Sequence, residues 1–267
     1  MSLKRMITSL IGLPIIVLIL FYGNEFVVGA TVLVAGIICT YEYFNVIKQE
    51  CKPIKWIGYL SNAYILLSMF LSNEIMLKIV LYSIPIILLL LFSCVIITNM
   101  KITFKDVAFT FLGCLYIPFF LMFLELLRKM DNGKVLIGFI FVISWSTDIF
   151  AYLIGRNFGK HKFSKISTGK TIEGCIAGLI GAVVITTLYT FIVNSIWKIG
   201  YSYLNIGIIS LVLSFISQIG DFAASIVKRY ADVKDYGTLL PGHGGMLDRI
   251  DSLLFIAPFA YMIFSIL

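Results

Sequence analysis

Apolar residues gather along this chain into long runs, each bounded by charge, by Gly/Asn or by Pro clusters. A bilayer core of ~30 Å needs about 20 mostly apolar residues per helix. Nine runs approach that length, at residues 6–22, 26–47, 56–71, 75–97, 107–127, 135–154, 172–197, 204–219 and 250–267. The third and eighth are short enough to tilt or to lie partly in the interface. The pattern predicts an all-α, polytopic integral membrane protein with about nine transmembrane helices. No long repeat, low-complexity tract or appended soluble domain interrupts it. Residues 1–134 read as a transmembrane scaffold and 135–267 as the region that carries the chemistry, within one membrane domain.

Composition agrees: 60% of the 267 residues are hydrophobic and 13% charged, with a mean hydropathy of +1.01. A soluble globule cannot hide that much apolar surface, and disorder, collagen and a disulfide-stapled scaffold each need a different composition. The first run follows Lys4 and Arg5, as a signal peptide would, and Val28-Gly29-Ala30 loosely resembles a cleavage site. That triplet lies inside the next apolar run, so the first is read as a retained helix.

The net charge of +7 has a topological reading. With the N-terminus in the cytoplasm, 16 of the 21 basic residues fall in cytoplasmic segments, leaving Lys78, Arg128, Lys129, Lys134 and Lys198 outside. Nucleic acid is therefore not an expected partner. The two longest polar loops, 155–171 and about 220–249, then face the cytoplasm, where a water-soluble anionic cosubstrate is met. The five cysteines form no C-x-x-C pair and only His161 and His243 offer imidazole, so a zinc site is not expected.

An ionisable group at the bilayer centre costs about 2.5–3.5 kcal/mol on insertion scales, so acids within apolar runs need a reason. Glu42 and Glu125, near the ends of their runs, read as headgroup-level or solvated carboxylates. Asp148, in the polar patch Ser144-Trp145-Ser146-Thr147-Asp148 well inside a span, reads as functional. The loop that follows is cationic and glycine-hinged, with Arg156, Lys160, Lys162, Lys165 and Lys170, and suits phosphates or anionic lipid heads as well as it marks topology. Gly169-Lys170-Thr171 imitates the end of a P-loop, but Ser164 stands where that motif requires glycine, and the P-loop reading is rejected. Glu173 can cap and anchor the loop. Gly174 and Gly178, extended by Gly181, let another helix or a second copy of the chain approach closely, so a homodimer is one reading.

Polar groups are densest near the C-terminus. If residues around 221–232 are helical, Asp221, Ser225, Lys228 and Asp232 form one stripe at i, i+4, i+7 and i+11. Asp248 and Asp251, three residues apart at the start of the last run, share a helical face and can hold a hard divalent cation between them, with Arg249 pointing elsewhere. Glycines 242, 244 and 245 let the backbone approach a phosphate and present N–H groups to it. An N-capping acid after a flexible loop explains one of the two aspartates, not the convergence of acids, bases and glycines.

The run from Ser225 to Asp251, S-I-V-K-R-Y-A-D-V-K-D-Y-G-T-L-L-P-G-H-G-G-M-L-D-R-I-D, resembles the signature of the phosphatidate cytidylyltransferase (CDP-diacylglycerol synthase) family. Thr147-Asp148 through Gly155-Arg156 and Lys170-Thr171-Ile172-Glu173-Gly174 are similar to the same family, so the resemblance covers roughly residues 144–258. Two departures stand out. The family usually reads S-P-K-K-T-x-E-G where this chain has Ser167-Thr168-Gly169-Lys170-Thr171-Ile172-Glu173-Gly174, and it commonly has Glu where Ala224 stands.

The resemblance implies that CTP and phosphatidic acid give CDP-diacylglycerol and pyrophosphate at the cell membrane, with the active site facing the cytoplasm. It implies one or two Mg²⁺ ions, with a monovalent cation as a further candidate, held by Asp221, Asp248 and Asp251 with Asp148 contributing. Lys228, Arg229, Lys234 and Arg249 would bind CTP phosphates or orient the acids, and Lys170 and Arg156 would meet the lipid phosphate. Ser225, Gly244 and Gly245 join the substrate-binding set, and His243 either donates to a phosphate or holds the glycine loop. Two other classes fit the sequence less well. The D-G-x2-A-R-x8-G-x3-D-x3-D pattern of CDP-alcohol phosphotransferases is absent, and a transporter would lack a reason for the His-Gly-Gly loop. No residue of the N-terminal half receives a catalytic assignment.

Overall fold

The structure, a computed structural model, describes residues 3–163, 167, 169–239, 242 and 244–266, without the side chains of residues 3–11 and 13. Among the described residues every element is helical: α1 Leu3–Tyr22, α2 Glu25–Ile47, α3 Lys55–Leu60, α4 Ala63–Ser68, α5 Asn73–Ile97, α6 Phe104–Cys114, a π-helical turn at Leu115–Phe119, α7 Phe120–Arg128, α8 Gly133–Phe158, α9 Ile172–Trp197, α10 Tyr203–Tyr230 and α11 Leu247–Phe264. Six of these, counting α6 to α7 as one, are long and apolar enough to cross a membrane: α2, α5, α6–α7, α8, α9 and α10.

Helix starts follow side chains that satisfy the orphan N–H groups of a first turn. Asn24 accepts from Val27 N–H at 2.8 Å, and Thr103 and Asp106 form a capping box at α6. Two of the sequence-derived runs differ from the structure. The third is not one helix but two six-residue helices; at the break Ser61 donates its hydroxyl to Gly58 O and Asn62 reaches back to Thr40 of α2. The eighth does not stop at residue 219. It continues as α10 to Tyr230, since a polar edge changes what a helix faces without ending its backbone ladder.

The chain divides into two compact units. Met1–Met130 with Tyr230–Ile250 form the first, and Asp131–Arg229 with Asp251–Leu267 the second. The core of the first is large and apolar, including Tyr43, Phe44, Ile57, Ile65, Met76, Ile117 and Leu121. It also buries both acids expected near the headgroups: Glu42 is 4% exposed and Glu125 0%. The solvated reading of these two is thereby corrected, because both helices pack that face inward.

In the second unit, α8 and α9 lie in close contact. A Cβ on Gly174 would meet Ala151 O at 2.6 Å, one on Gly178 Thr147 O at 2.9 Å, and one on Gly181 the Phe150 ring at 2.2 Å. The glycine face is thus filled by α8 of the same chain. Lipid tails are as apolar as leucine, so such packing and interhelical hydrogen bonds hold membrane helices together. Thr147 and Ser214 hydroxyls meet at 2.7 Å, Ser210 donates to Thr186 at 3.0 Å, and Gln218 to Cys175 O at 2.9 Å.

Candidate active site

The second unit builds its polar centre from the cationic loop. Phe163 N–H donates to Lys170 O at 3.0 Å and Ile172 N–H to His161 O at 2.9 Å, closing an antiparallel bridge between Lys162 and Thr171. Thr171 caps α9 by accepting from Gly174 N–H. Glu173 draws the far side of the loop in, taking the His161 N–H at 3.2 Å and its Nδ1 at 2.6 Å. Anchoring is therefore what Glu173 does here. The closed loop delivers Lys170 to α10, where its ammonium pairs with Asp221 and sits 3.9 Å from the Phe222 ring centroid. Phe163 stacks on the same ring at 4.8 Å.

A cavity of about 220 Å³ opens at this pair, lined by Asp148, Tyr152, Lys170, Thr171, Gln218, Asp221 and Phe222 among others. Sites that hold a whole small ligand run to about 300–1,000 Å³, so this one has room for a phosphate group and its counter-ions. The Lys170 and Asp221 side chains are 24% and 30% exposed, which leaves the ion pair open to exchange with an incoming anion and cation. Asp251, 8% exposed on α11, accepts from Ser252 N–H at 2.7 Å. Its carboxyl feels the like charges of Asp221 and Asp148 and the opposite charge of Lys228. Three predicted metal-site acids thus share one electrostatic neighbourhood. Among the described residues no three His, Cys, Asp or Glu side chains cluster tightly enough to enclose a metal by themselves. Magnesium, which keeps waters and completes its shell with substrate phosphates, does not need such a cage.

The first unit contains the glycine-rich segment. Asp248, 8% exposed in the first turn of α11, uses Oδ2 to accept from Tyr236 N–H at 2.8 Å and Gly245 N–H at 2.9 Å. Gly244 has φ of +85°, and a Cβ there would come within 2.9 Å of the same oxygen. Below the loop, Glu42 of α2 accepts from Met246 N–H at 2.9 Å and Leu247 N–H at 2.8 Å. Tyr230, where the segment begins, stacks on Phe109 at 5.1 Å and lies under Lys105.

The other predicted residues fall in several settings. The helical stripe is present from Asp221 through buried Ser225 to half-buried Lys228, but Asp232 lies beyond the end of α10 with φ of +50°. Arg156 is exposed and donates to the Tyr152 hydroxyl at 2.9 Å. Arg229, Lys234 and Arg249 are exposed, Gly245 is buried, and His243 lies outside the described residues, as do Ser164, Lys165 and Thr168. Ala224 is fully buried where the family pattern has Glu. Sequence reasoning missed Phe163, Gln218 and Phe222, for which an apolar or amide residue carries no signal. It also missed Glu42, whose signal was an acid left within an apolar run.

A profile of the cytidylyltransferase family matches residues 3–267. The chain is similar to the phosphatidate cytidylyltransferase of Bacillus subtilis (strain 168), 38% identical over 182 residues that make up 67% of this chain and 66% of that protein. It is similar also to that of Thermotoga maritima, 39% identical over 167 residues, 61% of either chain, and to that of Staphylococcus haemolyticus, 36% identical over 173 residues, 63% of either chain. The matched part thus spans roughly three fifths to two thirds of these relatives.

Proposed function

The chain belongs to the cytidylyltransferase family, and we propose that it transfers the cytidylyl group of CTP to phosphatidic acid, giving CDP-diacylglycerol and pyrophosphate for phospholipid synthesis. The observation that carries this reading is the pairing of Lys170 with Asp221 in a phosphate-sized cavity beside Asp148. Substrate can separate such a pair, with phosphate oxygens taking the ammonium and a cation taking the carboxylate.

A phosphatidate phosphate oxygen attacks the α-phosphorus of CTP, and the bond to the pyrophosphate oxygen breaks. The attacking oxygen is already anionic, so no side chain has to remove a proton from it. What remains for the protein is positioning and charge compensation. Lys170 orients a phosphate in the cavity, and the Phe222 ring beneath it restrains the ammonium. Lys228, Arg229, Lys234 and Arg249 compensate triphosphate charge, with Arg156 meeting the lipid head. The oxygen-only donor set of Asp148, Asp221 and Asp251, mutually repelling when ionised, suits a hard divalent cation. Asp248 is the fourth acid assigned to that role. Magnesium, when bound, supplies Lewis-acid neutralisation of the phosphate oxygens. The N-terminus and both polar loops are placed in the cytoplasm on the charge distribution.

Purified protein in detergent with phosphatidate micelles tests the reading. Expected is pyrophosphate release that requires CTP, phosphatidate and Mg²⁺ together. A folded protein that releases none would overturn this proposal, and one that moves solute across liposomes without consuming CTP would replace it with the transporter reading.

A further inference from the structure

We infer that Glu42, on the N-terminal helix α2, is a positioning residue for the glycine-rich segment that leads into α11. Its carboxylate is buried, 4% exposed, and each oxygen takes one backbone N–H at the start of α11, Met246 at 2.9 Å and Leu247 at 2.8 Å. A carboxylate on the orphan donors of a helix N-terminus is doubly favoured, by hydrogen bonding and by the helix dipole. The two partners are 204 and 205 residues away in sequence, so this is no local cap.

The backbone around it is cut to admit it. A Cβ on Gly237 would stand 2.7 Å from Glu42 Oε1, and one on Gly245 would stand 2.5 Å from Oε2; for both glycines all three nearest atoms belong to Glu42. Neither glycine has the positive φ that would otherwise explain it, unlike Gly242 and Gly244. The carboxylate therefore occupies the space that two side chains would fill. Above it, Asp248 gathers the N–H groups of Tyr236 and Gly245. Glu42 holds the floor of the loop and the first turn of the helix that carries Asp248, so it fixes where that acid points without touching substrate.

The inference rests on the proposed reaction for its kinetic arm alone, and the experiment separates the two. In wild-type protein, turnover of CTP with phosphatidate decides the reaction. Independently, hydrogen exchange in detergent reads the clamp: Glu42→Ala should raise exchange at the Met246 and Leu247 amides by tenfold or more, with α8 and α9 peptides unchanged. In the kinetic arm, Glu42→Gln and Glu42→Ala should raise the Mg²⁺ concentration for half-maximal activity, by about 10- to 100-fold for Ala, as expected when the support of a metal-ligating carboxylate is lost. Partial unfolding would lower activity without moving that concentration. Gly237→Ala supplies the cross-check. Alone it should reproduce the Glu42 defect by displacing the carboxylate, and in the Glu42→Ala background it should add nothing. Unchanged exchange in Glu42→Ala, or additive losses in the double variant, would overturn the assignment.

Discussion

The two polar centres of the molecule satisfy their acids in different ways. In the second unit Asp221 is answered by a side-chain cation, Lys170, whose ammonium sits on a flexible stem beside a cavity. In the first unit Glu42 and Asp248 are answered by backbone N–H groups, four of them, from residues 236 to 247. An ion pair that is a quarter exposed can be exchanged for another pair of charges, because solvent and ligand compete for both partners. A carboxylate bound by amides of a helix turn and a glycine loop can leave only if the loop opens. The first arrangement suits groups that meet substrate, and the second suits groups that must stay fixed while substrate comes and goes.

The largest expected effect tests the exchangeable centre. Asp221→Asn keeps the shape of the side chain and removes its charge, so CTP turnover should fall by about 1,000-fold or more while the protein stays inserted and folded. Near-normal turnover at saturating Mg²⁺ would take Asp221 out of the site. Asp248→Asn tests the fixed centre more sharply. An asparagine oxygen can still accept from Tyr236 and Gly245, so a purely structural Asp248 predicts little loss. If Asp248 also faces Mg²⁺ and the phosphates, turnover should drop about 100-fold with the loop's hydrogen exchange unchanged. Lys170→Met comes next. Removing one phosphate-facing cation should lower kcat/KM about tenfold and weaken its dependence on ionic strength, measured between low and moderate salt.

Much of this was legible in the chain. The helical class follows from the length of the apolar runs, and the stripe from Asp221 to Lys228 followed from spacing because it lies on one uninterrupted helix. Glu173 as an anchor and the glycine face of α9 were likewise local. What failed to show was long-range. At the break around Ser61 and Asn62, Asn62 reaches Thr40, a partner 22 residues away that a hydropathy pattern does not see. Glu42 was assigned to the headgroups because proximity to a run's end is a sequence property, whereas the two amides that bury it lie about 200 residues downstream. The aromatic wall of the cavity, Phe222 with Phe163 stacked on it, was invisible because a single phenylalanine in a polar loop does not say which ring or ammonium it will meet.

The smallest expected effect belongs to a third kind of acid. Glu125 is 0% exposed in α7, close enough to Gly29 that a Cβ there would come within 3.1 Å of Oε2, and neither of its oxygens has a hydrogen-bond partner among the described residues. Among the described residues it has no cation at ion-pair distance, as Asp221 has, and no fixed amides, as Glu42 has. Removing a buried polar group strands a partner only when there is one to strand, and an apolar replacement of similar shape is then neutral or stabilising. Glu125→Gln should therefore change turnover by less than about twofold and leave thermal stability in detergent unchanged, with Glu125→Leu equal to wild type or more stable. Run beside Glu42→Gln, the same chemical change in the same unit should give opposite outcomes, since the glutamine at 42 must turn an NH₂ toward a backbone N–H and the glutamine at 125 faces no such conflict. A loss of tenfold or more at Glu125 would mean that this carboxyl serves a bound group, and burial without hydrogen bonds would then be no guide to which acids the protein can spare.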